Sequence, residues 1–183
     1  MSGKTGAHVT GIDYVPEAIS QASRRAASNP RLAFAIMDMG HLQLAPASFD
    51  VVLSIDTLYF TALPSTIRGI REVLKPSGHL AAYYGYGAEP GVPAETVRRE
   101  TLAVGRTPLA EALADAGFSF QAWDVTLDDY EHARLKEQVL NEVRADLAAE
   151  GNLFLDRQGE AKGVMAAYEA GAHARYLYKA TPQ

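Results

Sequence analysis

The chain has 183 residues, 48% hydrophobic and 21% charged, with a formal net charge of −5 and no cysteine. That length fits one domain with a real core, and its scattered basic residues argue against a nucleic-acid partner. Without cysteine there are no disulfides, thiolate metal sites or cysteine nucleophiles, and cysteine-based methylation of pyrimidine carbon 5 is excluded. No apolar run reaches the roughly twenty residues of a membrane span. "MSGKTGAHV" lacks the apolar core and cleavage site of a signal peptide, so no membrane and a cytoplasmic location are the expectation.

Ala7 to Ile12 reads as a short buried strand that ends on Asp13. Pro16 suits the first turn of a helix, where its missing N–H would be unpaired anyway. Glu17 complements the positive helix end, and Ile19, Ala22 and Ala26 recur at helical spacing. "SNP" at 28–30 stops that helix, and a second strand, Leu32 to Met37, ends on Asp38. "DVVLSI" at 50–55 is a continuous apolar run typical of a central parallel strand. A helix over about 63–74 follows, with Ile67, Ile70 and Leu74 facing inward; "KPSG" ends it and "HLAAYYGYG" is the next strand. Residues 87–107 are rich in Gly and Pro, with one helical turn or two. "PLAEALADAGF" is a helix closed by Gly117, and "FSFQAWDVT" is a strand. The longest helix is expected over 128–150, with Leu135, Val139, Val143 and Leu147 on one stripe. A shorter helix near 160–171 precedes a last strand, "HARYLYKAT". Strand alternating with helix predicts an α/β, doubly wound, mostly parallel sheet.

Open α/β sheets bind ligands beyond the carboxyl ends of their strands. Four such ends carry polar or aromatic groups: Asp13, Asp38, "SIDTLYF" at 54–60 and "YYGYG" at 83–87. Each has a plainer reading. An aspartate at a strand end is often a turn former or helix cap, and tyrosines there are more often core edges than catalysts. Asp50 begins its strand at the end away from the ligand and reads as structural. Histidines 8, 41, 79, 132 and 173 show no paired metal spacing, so no metal site is expected; His41 alone lies near the expected pocket. "SGKT" at 2–5 lacks the preceding strand and the upstream glycine of a phosphate loop.

Three segments, "VTGIDYVPEAI", "AIMDMGHLQLAPASFDVVLSIDTLYF" and "IREVLKPSGHLAAYY", cover most of residues 9–84. In order and spacing they resemble the class I S-adenosylmethionine-dependent methyltransferases, in particular the small-molecule kind labelled methyltransferase type 11. "LADAGFSFQAWDVT" and "HARYLYKAT" resemble the last two strands of that Rossmann-like fold, the last one antiparallel. The resemblance implies one domain over 1–183, with a cofactor-binding core at 7–86, a substrate-side loop at 87–107 and a C-terminal part at 108–183 holding a helical insertion at 128–171. It implies S-adenosyl-L-methionine as donor and S-adenosyl-L-homocysteine as product. Asp13 would accept from both ribose hydroxyls, with Tyr14 and Val15 near the adenine. Asp38 would accept from the adenine amino group and the Met39 N–H would reach a ring nitrogen, while Ser54 and Ile55 would pass beneath the methionine part. Asp56, Thr57, Tyr59 and Phe60 fall where the family meets its acceptor, and Tyr84 and Tyr86 would approach from the next strand.

The implied reaction is O- or N-methylation of a small molecule, by a monomer or homodimer. No Asn-Pro-Pro-Tyr-type signature follows "DVVLSI", which argues against DNA adenine methylation. The family's first strand, glycine-rich turn and first helix have no counterpart before Ala7, so an N-terminally shortened fold is expected. Its two inner edges would then lie unpaired or pair directly, and weak cofactor affinity without substantial turnover would follow. Two other readings stand beside this one. A nicotinamide-dependent oxidoreductase would use Asp13 on its own ribose, and a catalytically inactive interaction module would need no cradle at all.

Overall fold

The computed structural model describes residues 5–26, 29–88, 94–149, 151 and 163–183. Strands β1 (Val9–Asp13) and β2 (Leu32–Ile36) pair in parallel, Val9 beside Leu32 and Asp13 beside Ile36. Helix α1 (Pro16–Ala26) joins them and packs on both, with Glu17 in its first turn and Arg24 and Arg25 in its last. These charges oppose the partial charges of the helix ends.

A second sheet has the order β3–β4–β6–β5. It is built from β3 (Phe49–Ile55), β4 (Leu74–Gly87), β5 (Phe118–Asp124) and β6 (His173–Pro182). β3 and β4 are parallel, and β6 runs antiparallel to both β4 and β5. Among the described residues no ladder joins β1 to β3. Of the two outcomes expected from the sequence, separation of the inner edges is the one observed. Val51, Leu53 and Ile55, one face of β3, stay about half exposed as a result.

Helices α2 (Leu63–Val73) and α3 (Pro108–Asp115) cover the other face of this sheet. Ile67, Ile70, Leu109 and Leu113 meet Leu80, Ala82, Tyr84, Tyr176 and Tyr178 there, and all are buried. Thr107 caps α3 by accepting from the Ala110 N–H at 3.1 Å, and its hydroxyl lies 2.8 Å from that of Tyr178. Helix α2 passes straight into β4, so "KPSG" is the first stretch of the strand rather than a loop before it. It runs beside the start of β3, where the register shifts between Phe49 and Val51.

The long C-terminal helix departs most from expectation. It is split into α4 (Thr126–Glu142) and α5 (Arg144–Ala149), with Val143 as the break. Asp129, Ala133 and Leu140 form its buried stripe, and Leu135, Val139 and Val143 face outward. A buried aspartate displaced the apolar stripe because α4 lies against an arginine on β6, described below. Residues 94–96 and 99–102 make two 3₁₀ turns, and 163–169 are helical. Residues 160–162 of the expected helix lie outside the described residues, and 170–171 form a turn.

Candidate active site

All four parallel strands carry polar groups at their carboxyl ends, and β1 and β2 hold the first pair. Asp13 follows the last core position of β1, and its backbone carbonyl accepts from the Met37 N–H at 2.9 Å, so the Asp13 and Asp38 turns lie side by side. Both aspartates serve their own turns. One Asp13 oxygen accepts from the Val15 N–H at 2.8 Å, and one Asp38 oxygen accepts from the Gly40 N–H at 2.8 Å. In each carboxylate the second oxygen takes no such bond among the described residues, and both residues are exposed. The turn-former role and an acceptor role are therefore compatible. Tyr14 is exposed beside them, while Val15 and Met39 are half-buried.

The β3 end divides the remaining candidates between two faces. Ser54 points to the core side, where its hydroxyl lies 2.7 Å from that of Thr57. Tyr59, Phe60 and Tyr84 cluster on that side, with ring centroids 4.7 Å apart for Tyr59–Phe60 and 6.3 Å for Tyr59–Tyr84. Tyr84 is 2% exposed, and Tyr86 packs against the same core. Burial raises the Tyr84 phenol well above its ordinary value, so it stays protonated. Ile55 and Asp56 belong to the opposite face.

Asp56 leaves β3 with φ 52°, in the left-handed region an aspartate tolerates at a cost of order 1–3 kcal/mol. Its N–H donates to the Tyr83 carbonyl at 3.0 Å, and one of its oxygens accepts from Arg175 Nη1. Arg175 lies on β6 opposite Gly85, with its side chain 12% exposed. Its Nε donates to Asp129 at 3.1 Å, and its guanidinium sits 4.9 Å from the Tyr83 ring centroid. Asp129 also accepts from Tyr83 Oη at 2.8 Å and from Tyr168 Oη. Burial opposes the Asp129 charge, but the Tyr168 and Tyr83 hydrogen bonds and Arg175 outweigh it and hold its carboxyl below the ordinary aspartate value. Burial and the same carboxylate raise Tyr83 and Tyr168, which therefore act as donors and not as bases. His173 is held below its usual value, first by burial and then by Arg175; its buried Nε2 has no hydrogen-bond partner among the described residues.

Of this cluster only Tyr83, within "YYGYG", was marked by the sequence; Asp129, Tyr168 and Arg175 did not stand out. The usable signal was the glycine alternation in "YYGYG". A Cβ on Gly85 would lie 2.8 Å from Arg175 Cζ and 2.9 Å from His173 Nε2, and one on Gly87 only 2.2 Å from the Ala172 carbonyl oxygen. Gly85 thus leaves room for the Arg175 and His173 side chains, and Gly87 for the backbone at Ala172 and His173. The arrangement leaves a cavity of about 340 Å³ between Ile55, Asp56 and Tyr83 on the sheet and Asp129, His132 and Lys136 on α4. Among the described residues no three His, Asp or Glu are placed to hold a metal ion, and no helix is long and apolar enough to cross a membrane.

Residues 2–108, more than half of the chain, match the family model described as "Methyltransferase domain". The chain belongs to the methyltransferase domain family. Its fold is that of the class I members. An uncharacterized methyltransferase of Bacillus subtilis (strain 168), YodH, is 37% identical over 89 residues, 48% of this chain and 38% of that protein. Among solved structures, a Haemonchus contortus phosphoethanolamine N-methyltransferase 2 with phosphomonomethylethanolamine and S-adenosylhomocysteine aligns with TM-score 0.83 at 17% identity, over 100% of this chain and 45% of that one. A Streptomyces coelicolor geranyl diphosphate C-methyltransferase with Mg2+, geranyl diphosphate and S-adenosylhomocysteine aligns with TM-score 0.75 at 16% identity, over 100% of this chain and 65% of that one. This methyltransferase chain thus spans less than half the length of the first two relatives.

Proposed function

We propose that the chain acts in S-adenosylmethionine-dependent methylation of a small-molecule acceptor at oxygen or nitrogen, with S-adenosylhomocysteine as product. The observation that carries this is the pair of open carboxylate oxygens, on Asp13 and Asp38, side by side at the ends of two parallel strands. A carboxylate offers only acceptors, which suits ribose hydroxyls at Asp13 and an adenine amino group at Asp38. The turn bonds through the other oxygens hold both carboxylates before any ligand arrives, which lowers the ordering cost of binding. Tyr14, Val15 and Met39 would flank the adenine, and Ser54 and Ile55 would pass beneath the methionine part.

The bound donor supplies an electrophilic methyl group on a sulfonium. The tasks left to the chain are alignment, exclusion of water and acceptance of a proton where the acceptor carries one. Transfer would leave the sulfur's electron pair on S-adenosylhomocysteine and free the acceptor's proton for the chain to accept. Asp56 is the carboxylate nearest that task, since it lines the cavity beyond β3. The family match weighs against the nicotinamide reading, although Asp13 alone would serve either ribose.

Calorimetry with S-adenosylmethionine, S-adenosylhomocysteine and NADH tests the reading. Binding of the adenosyl-methionine pair without NADH is the expected result. Preference for NADH, or no preference among the three, would refute it.

A further inference from the structure

We propose that Arg175 is a positioning residue that makes the cavity beyond β3 selective for acceptors carrying an O–H or N–H. This rests on the methyltransferase reading above and adds to it the residue that sets acceptor chemistry. The geometry divides the cluster into a spent carboxylate and an open one. Asp129 accepts from Tyr83, Tyr168 and Arg175, so both of its oxygens are engaged. Asp56 accepts from Arg175 through one oxygen only, and its side chain is 37% exposed. Asp56 lines the cavity, so the cluster ends there on one carboxylate oxygen without a hydrogen-bond partner among the described residues.

Arg175 fixes the direction of that acceptor. Its guanidinium is planar and bridges two carboxylates with separate nitrogens, which a lysine ammonium on a flexible stem does not reproduce. The backbone is held as well: the Arg175 N–H donates to Thr126 Oγ1 at 3.0 Å, and its carbonyl accepts from the Val125 N–H at 2.9 Å. Gly85 leaves the space in which the guanidinium lies. Asp56, in turn, leaves β3 in a left-handed conformation with its N–H tied to Tyr83. A side chain held from both ends in a strained turn is set for one orientation. A ligand that brings no donor would leave the Asp56 oxygen desolvated and unpaired, which is how a polar site rejects an analogue lacking the matching group.

The test uses the 183-residue chain, with and without millimolar S-adenosylhomocysteine, and a panel of small primary amines, secondary amines, alcohols and phenols. Each is paired with its fully N- or O-methylated counterpart, which lacks the donor, and affinities are read by ligand-observed NMR. At least one donor-bearing member should bind about tenfold tighter than its methylated counterpart. Asp56→Asn and Arg175→Gln should each erase that preference, and Arg175→Lys should return only part of it. S-adenosylhomocysteine affinity should be unchanged in all three variants. If Arg175→Gln does not fold, Tyr168→Phe loosens Asp129 more gently and should halve the preference or more. A chain that shows no preference for donors, or keeps its preference in Asp56→Asn or in the folded Arg175 and Tyr168 variants, overturns the inference. Loss of S-adenosylhomocysteine binding by the unmutated chain counts instead against the methyltransferase reading.

Discussion

Removal of the Asp129 charge should be among the most damaging single changes in this protein. Asp129 is 7% exposed and receives three donors, two of them phenols and one a guanidinium. Loss of one member of a buried charge pair typically costs about 3–5 kcal/mol, because the partner is left uncompensated. Here Arg175 keeps Asp56 as a second partner, so the low end, about 3 kcal/mol, is the expectation for Asp129→Asn. For a chain of this size that is a fall in Tm of about 6–12 °C. The pH dependence has a definite sign. A folded-state carboxyl held below its unfolded value of about 3.9 contributes fully above that pH, and the contribution is lost as pH falls through the folded value. Asp129→Asn should therefore flatten the acid limb of the stability profile below about pH 4 while lowering stability at pH 7. Urea denaturation at several pH values measures both effects. Arg175→Met in the Asp129→Asn background should cost much less than Arg175→Met alone, since the two share one network. A loss under 1 kcal/mol for Asp129→Asn, or additivity in the double variant, would refute the buried-network account. Disruption of the exposed Lys75–Asp50 pair is the control and should leave Tm unchanged.

Two further outcomes follow from named contacts. Asp13→Ala and Asp13→Asn should each weaken adenosyl-ligand binding by about 1.5–3 kcal/mol, the range for hydrogen bonds to a charged group, measured by calorimetry; affinity unchanged from the parent chain in both variants would place the ribose elsewhere. Among glycine-to-alanine changes, thermal melts should rank Gly87 worst, Gly85 next and Gly105 neutral. The reasons are a backbone carbonyl at 2.2 Å together with φ +146° at Gly87, a displaceable guanidinium at 2.8 Å at Gly85 and open space at Gly105.

The sequence by itself determined the parts governed by local rules. Period and punctuation located β1, β2, β3, α1, α2, α3, β5 and β6 to within a few residues, and the β-strand ends at Asp13, Asp38 and Asp56 were legible because an acid after an apolar run has few other uses. The order and spacing of these pieces also carried the family. Tertiary structure decided what depends on partners distant in the chain. Tyr83 and Tyr84 are neighbours of the same type, yet one enters the charged cluster and the other the core, because alternation along β4 is read only once β6 is beside it. The outward stripe of Leu135, Val139 and Val143 looked like a core face. It lost that place to Asp129 because Arg175, 46 residues away, needs a buried counter-ion more than the sheet needs another leucine. A charge buried on one element can be balanced only by one brought to it from another, and no local pattern in either segment records that pairing.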